Sequence, residues 1–341
     1  VTVVQPDLPP AAAAFTTRGG GVSEGPYATL NLAVGSGDDA ARVGANDRRL
    51  ADLLGFSAAG LVRLRQVHGA EVAVVERPAQ GDRPLEAFDA AVTDQPGVVL
   101  LVLAADCAPV LLVDPRRPAV GAVHAGWRGV VADAPGAAVR RMVEAFGSRP
   151  AALRAAIGPC ISSCCYEVDA LVAERFAEAG LPFEDQPAEA AVDRRSSEAR
   201  IARPSADREG KPRWRLDLVA AVRARLVAAG LAPPAIDAAG LCTACRPDLF
   251  FSHRRDGAGT GRQAGLSWLP RAPDRGCGPR RGHRPKGGAG AEPPAGGVPP
   301  TGRPAGARAF GPGLLRRPHS RSGAGGTPTP GSVARAPGDS R

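Results

Sequence analysis

The chain has 341 residues, 44% of them hydrophobic but only 4% aromatic, so Ala and Val must fill much of any core it builds. Its formal charge of +9 would suit a nucleic-acid binder, but the surplus sits at one end. Residues 270–341 hold 13 Lys+Arg against 3 Asp+Glu, which leaves residues 1–269 with 30 basic and 31 acidic groups and no demand for a polyanion.

Residues 10–37 read as short strands and turns, with Gly19, Gly20 and Gly21 as a bend. Asp38–Phe56 has helical spacing, with Val43, Leu50, Leu53 and Leu54 on one side. Strands follow at Leu61–Val67 and Glu71–Glu76, flanking a turn at His68. The apolar run Val98–Leu103 predicts a strand buried on both faces, and Val110–Val113 and Val120–His124 predict two more around the turn DPRRP. Gly129–Phe146 reads as a helix that starts past Pro135 or bends there. Ala152–Ile157 is a strand, Val168–Ala179 a helix ended by Gly180, and residues 183–212 a polar surface excursion. Leu216–Ala229 predicts an amphipathic helix with Leu218, Val222 and Leu226 on one face, and Ile236–Gly240 and Gln263–Trp268 predict closing strands. Consecutive strands outnumber helices, which argues against a doubly wound sheet.

From residue 270 onward the chain carries 14 Pro and 17 Gly in 72 residues. Such a segment buries too little to offset its conformational entropy and is expected to be disordered. It also reads as an out-of-frame translation of GC-rich DNA. The longest apolar run, Val98–Ala105, falls far short of the roughly 20 residues that span a bilayer. No secretory leader is visible, so a cytoplasmic protein is expected. Seven cysteines, an odd number, argue against a disulfide framework.

Chemistry concentrates at three residues: His68 in RQVHGAEV, Cys107 in LVLAADCAPV and His124 in GAVHAGWRG. Two imidazoles and a thiol form the ligand set of a catalytic zinc with one position open. The alternative is two hydrogen-bonded core histidines and a small buried cysteine. His68 is followed by Gly69, Asp106 and Cys107 end the apolar run that begins at Val98, and His124 ends an apolar run just before Gly126 and Gly129, the surroundings in which sites are usually built.

Arg18 with Gly19–Gly21 is a candidate anion loop, or a plain glycine turn. Arg128, Arg254 and Arg255 are further candidates to face an anion. Asn31 suits a ribose hydroxyl or a base edge, or ties down a turn. Asp106 suits either a partner to a metal-bound histidine, a proton acceptor, or a turn cap. Cys242 and Cys245 form a CxxC without an evident second pair and read as structural. Cys160, Cys164 and Cys165 stand together in IGPCISSCCYEV, His253 is expected to be structural, and His283 and His319 fall in the tail.

Between Phe15 and Leu269 the chain strings together FTTRGGGVSEGPYATLNLAVGSGDD, QVHGAEV, FDAAVTDQPGVVLLVLAADCAPVLL, GAVHAGWRG, AAIGPCISSCCYEV, LDL and CTACRPDLFFSHRRDGAGTGRQAGLSWL. This ordered series resembles the multi-copper polyphenol oxidase (laccase-domain) family, also called the purine nucleoside phosphorylase or peptidoglycan-editing-factor family. The resemblance implies an α+β fold: one domain over residues 1–269, a mixed β-sandwich flanked by helices; it stops at Leu269, and composition alone gives the disordered tail over 270–341. It implies His68, Cys107 and His124 as zinc ligands, with copper as a second metal.

The implied activity is phosphorolysis of adenosine, inosine and S-methyl-5′-thioadenosine to base and ribose 1-phosphate, with adenosine deamination beside it. Cys107, Asp106 and Arg128 are then the expected catalytic residues. Arg18, Gly19, Gly20, Asn31 and Arg254 are the expected substrate contacts. The expected partners are a purine nucleoside and phosphate, with neither membrane nor specific nucleic acid. Two other activities use the same residues: a copper-dependent polyphenol oxidase, and a hydrolase of peptidoglycan fragments with Cys107 as nucleophile. The first needs many histidines, and residues 1–269 hold three.

Overall fold

The computed structural model describes residues 1–78, 84–181, 202–206 and 212–271. In chain order its strands are β1 Val3–Val4, β2 Ala12–Thr16, β3 Leu61–Arg65, β4 Val72–Val74, β5 Leu85–Glu86, β6 Ala90–Thr93, β7 Val99–Ala104, β8 Ala108–Asp114, β9 Ala119–Ala125, β10 Arg154–Ile157, β11 Glu167–Val168, β12 Ala202–Ala206, β13 Pro212–Leu216, β14 Ile236–Ala238 and β15 Gln263–Trp268. The helices are α1 Ala40–Leu54, α2 Trp127–Val131, α3 Ala134–Phe146, α4 Ala170–Glu178, α5 Leu218–Ala228 and α6 His253–Asp256.

Two six-stranded mixed sheets form the body. One runs β1-β2-β15-β7-β3-β5 and the other β14-β10-β8-β9-β6-β4, with a small third sheet β11-β13-β12. Period-two alternation fixes which residues lie where. Leu100 and Val102 of β7 point between the sheets, onto Leu111 and Val113 of β8 and Val120 and Ala122 of β9. Val99 and Leu101 point outward, where Leu50 of α1 and the loop residues Leu30 and Leu32 cover them. On the far side α3, α4 and α5 pack on Val110, Leu112 and Val123. The β7 strand is therefore buried on both faces. Small side chains fill the layers, and β9, AVGAVHA, is buried at every position. This is the expected α+β sandwich with helices outside.

Most helix limits follow from caps. Asp39 starts α1 by accepting the Ala41 N–H, and Gly55, in the left-handed region, ends it. Asp217 caps α5 in the same way, and Leu218, Val222 and Leu226 are buried as expected.

The single helix expected over Gly129–Phe146 is instead two. Asp133 takes φ 63, which breaks the chain between α2 and α3, and its carboxylate caps the Gly136 N–H. Pro135 lies inside the first turn of α3, where its missing N–H costs nothing. The excursion expected over 183–212 contributes β12 to the third sheet, and its other residues up to 211 lie outside the described ones. The tail expected to be disordered also lies outside them from residue 272 onward.

Candidate metal centre and active site

Two crossings of the chain from one large sheet to the other place the candidate ligands. The connection from β3 to β4 carries His68, and that from β7 to β8 carries Asp106 and Cys107. Next to β8 lies β9, with Ala125 opposite Ala108 and His124 opposite Pro109, so Cys107 falls opposite Gly126. A Cβ on Gly126 would stand 2.9 Å from Cys107 Sγ and 3.1 Å from His68 Cδ2, so only glycine leaves room for the cluster. Ligand atoms of His68, Cys107 and His124 all lie within 4.8 Å of one another. The two imidazoles meet edge to face, 4.8 Å apart between ring centres.

Asp89 holds this arrangement. It precedes β6, and because Ala90 pairs with Val123 it is the cross-strand neighbour of His124. Its buried carboxylate accepts the backbone N–H groups of Val67 (3.0 Å), His68 (2.9 Å) and Gly69 (2.7 Å). It also accepts His124 Nδ1–H at 2.8 Å, which leaves Nε2 of that ring for a cation. The converging N–H groups require His68 to take φ 63, a left-handed conformation that costs a non-glycine residue about 1–3 kcal/mol. Gln66 braces the same loop by exchanging two hydrogen bonds of 2.8 Å with the Leu103 backbone.

The electrostatics favour a cation. Burial pushes the Asp89 carboxyl up, but the bonds from His124, Gly69 and Val67 outweigh it and hold its pKa below the usual range. Burial likewise opposes ionisation of Cys107, yet His124 and His68 bring its thiol down to about 6. Against its own burial, His124 is raised to about 9 by the Cys107 thiolate and Asp89. Without a metal the pair is thiolate and imidazolium. His124 is buried, Cys107 half-buried and His68 exposed, so the cluster opens toward solvent on the His68 side. One thiolate and two imidazoles converging with a side open to solvent suit a borderline divalent metal with a free position.

It is Asp89, and not the expected Asp106, whose carboxylate bonds His124. The Asp106 carboxylate points to the loops beyond, accepting Thr243 Oγ1–H and the Arg254 N–H, each at 2.6 Å, while its carbonyl accepts the Ile161 N–H at 2.9 Å. It fixes the backbone next to Cys107, itself at φ 93. The side chain of Asn31 is fully buried and ties its own loop to the start of β15. Its amide donates to Ser36 and Asp38, and its carbonyl accepts the Ala33 and Arg262 N–H groups.

Arg18 stacks on Phe251 and donates to the Ala28 and Pro247 carbonyls. The N–H of Gly19 is taken by Thr17 Oγ1, and Gly20 sits at φ 93 with its carbonyl near Arg49. Arg255 is spent on the carbonyls of Thr243, Ala244 and Phe250 and on Asp256.

Arg128 and Arg254 remain beside the cluster. Arg128 is exposed over the Trp127 ring, and Arg254 lies over Tyr166 while donating to the Glu167 carbonyl. Tyr166 was not expected at the site. Burial and the negative charge at Cys107 push its phenol well above the ordinary value, against the pull of Arg254 and Arg128, so it stays protonated. Arg262, also unexpected, is half-buried within the field of Cys107 and Asp106. Cys164 and Cys165 lie against Cys242 and Cys245. The CxxC thus has the second pair that the sequence did not reveal.

The family model described as multi-copper polyphenol oxidoreductase laccase matches residues 12–270. A purine nucleoside phosphorylase of Streptomyces griseus is 43% identical over 258 residues, 75% of this chain and 93% of that protein. One of Deinococcus radiodurans is 42% identical, over 76% of this chain and 89% of its own. The crystal structure of YlmD from Geobacillus stearothermophilus superposes with a TM-score of 0.68 at 34% identity, covering 78% of this chain and 94% of that one. On a match that runs from β2 through β15, with His68, Cys107 and His124 inside it, the chain belongs to the multi-copper polyphenol oxidoreductase laccase family.

Proposed function

We propose that this protein is a purine nucleoside phosphorylase built on one zinc ion, held by His68, Cys107 and His124, with adenosine deamination as a second activity. Adenosine, inosine and S-methyl-5′-thioadenosine are the proposed substrates. Carrying this reading is the ligand cluster itself, with Nδ1 of His124 committed to Asp89 and one side open. Relatives named purine nucleoside phosphorylase at 42–43% identity support it. When bound, zinc supplies a Lewis acid that polarises a substrate atom or acidifies water.

The chain's own groups supply the rest. Phosphorolysis needs a grip on an anion, and Arg128 and Arg254 provide guanidinium charge within electrostatic reach of Tyr166. The bond from C1′ to the base breaks as a phosphate oxygen bonds C1′, so electron density moves onto the purine. Tyr166, kept protonated, can donate a hydrogen bond to it but cannot act as a base at neutral pH. Asp106 acts through position, by fixing the Cys107 loop. The loop of Arg18, Gly19 and Gly20 and the buried Asn31 serve as frame around the site.

The test is chromatography of adenosine incubated with zinc-loaded protein, with and without phosphate. Adenine and ribose 1-phosphate should appear only with phosphate, inosine should appear without it, and Cys107→Ser should abolish both. Unchanged adenosine under all conditions would overturn the proposal. A second reading has a specific observation behind it: Cys107, His124 and Asp89 stand in the order nucleophile, base and orienter. A cysteine hydrolase of this kind would work after complete removal of metal; the phosphorylase would not.

A further inference from the structure

Away from the ligands of the reaction site, four more cysteines converge. Cys164 and Cys165 lie in the turn between β10 and β11, and Cys242 and Cys245 lie in the segment after β14. Their four Sγ atoms are all within 4.8 Å of one another, with Cys245 Sγ 3.4 Å from Cys164 Sγ and 3.3 Å from Cys165 Sγ. A tetrahedral ion with metal–sulfur bonds of about 2.3 Å sets its sulfurs roughly 3.8 Å apart. A disulfide would need about 2.05 Å. Thus the cluster has the spacing of a thiolate cage.

The surroundings fit the same cage. Backbone N–H groups of Ser162, at 3.5 Å, and of Cys245 point at Cys242 Sγ, as they do where a CxxC turn wraps a metal. Four thiolates around a divalent ion leave a net negative charge, and two guanidiniums lie on the same loops, each shared with a carboxylate, Arg215 with Glu167 and Arg255 with Asp256. Arg215 donates to the Cys164 carbonyl and Arg255 to the carbonyls of Thr243 and Ala244. The two loops are already paired, with Cys160 bridging to Cys242 and the Thr243 N–H donating to the Cys160 carbonyl. The sulfurs thus meet on a prepared frame.

We propose that Cys164, Cys165, Cys242 and Cys245 bind a second divalent metal ion of zinc's class, in a closed, structural site. With four protein ligands it offers no position to substrate. Its purpose is to lock two loops whose next contacts lead to the reaction site. Thr243, beside Cys242, donates to Asp106, and Ile161 on the other loop donates to the Asp106 carbonyl, next to Cys107. The proposal does not depend on which reaction the protein performs.

Elemental analysis of the full chain, purified with a thiol reductant, tests it. About two zinc ions per chain are expected for the unchanged protein, and about one each for Cys107→Ser and for the double variant Cys242→Ser with Cys245→Ser. Should the first site not bind metal, the counts become one, one and none, and the second site still stands. Because the double variant can fail to fold, cobalt titration of Cys107→Ser gives an independent readout. An intense thiolate-to-cobalt charge-transfer band should persist there, although the reaction-site thiolate is gone. Two results overturn the proposal. One is a metal-free Cys107→Ser protein. The other is a freshly purified chain lighter by about 4 Da until reduced, showing that the four thiols are two disulfides.

Discussion

Replacing Asp89 by Asn removes a charge and turns one oxygen into an amide that can only donate. The native carboxylate takes four hydrogen bonds, three from the His68 loop and one from His124, so one substitution disturbs two ligands at once. A partner of this kind typically controls metal affinity by about 10–100-fold, and Asp89→Asn should weaken zinc by at least the lower figure. Competition with a chromophoric chelator measures it; unchanged affinity would show that Asp89 orients nothing.

The thiolate–imidazolium pair carries a pH dependence. Cys107 is already ionised above about 6, while His124 keeps its proton to about 9. A metal binds His124 only as neutral imidazole, so these two residues release one proton per metal between those limits. Affinity should therefore rise about tenfold per pH unit near neutrality, more steeply below pH 6 and not at all above pH 9. Calorimetry in buffers of different ionisation enthalpy reads the proton count, and a value near zero at pH 7.5 would remove the imidazolium from the account.

Elements were legible in the sequence where their pattern is local. The apolar run of β7, the strands β8 and β9 and the capped helices α1 and α5 fall where period and cap residues put them. What long-range pairing decides was not. Asp89 precedes an apolar run like any turn residue, and only the register of β6 on β9 turns it toward His124. The pairing of Cys164 and Cys165 with Cys242 and Cys245 is closed by contacts 80 and 81 residues apart in the chain. Asp133 breaks the expected helix by a backbone conformation that its side-chain type permits but does not announce. His68, Cys107 and His124 stood out because such residues are rare beside buried strands. The double burial of β7 has a direct consequence. Leu100 faces the other sheet and Leu101 faces α1, so truncating either to Ala leaves a cavity. Each should cost about 2–5 kcal/mol in denaturant unfolding. If one proves neutral, a face of β7 is open and the layering is wrong.

At the scale of the molecule the last described strand lies deep in its sheet. Between β2 and β7, near the middle of its sheet, β15 bonds to both and is buried at every position. Beyond it the Leu269 carbonyl accepts the Gly97 N–H and its side chain is buried, so the sheet is still being closed there. The residues after Arg271 include 12 Lys+Arg and 3 Asp+Glu, and removing them takes the formal charge from +9 to zero. We therefore propose that the domain occupies residues 1–269. A chain ending at Arg271 should keep its melting temperature, zinc content and turnover, and lose only its attraction to anionic matrices. A chain ending at Arg262 lacks β15, leaves the inner edges of β2 and β7 unpaired, and should show no cooperative melting transition. Lost turnover in the chain that ends at Arg271 would put a functional group in the basic segment. Cooperative melting of the shorter chain would mean that β15 is not needed to hold the sheet together.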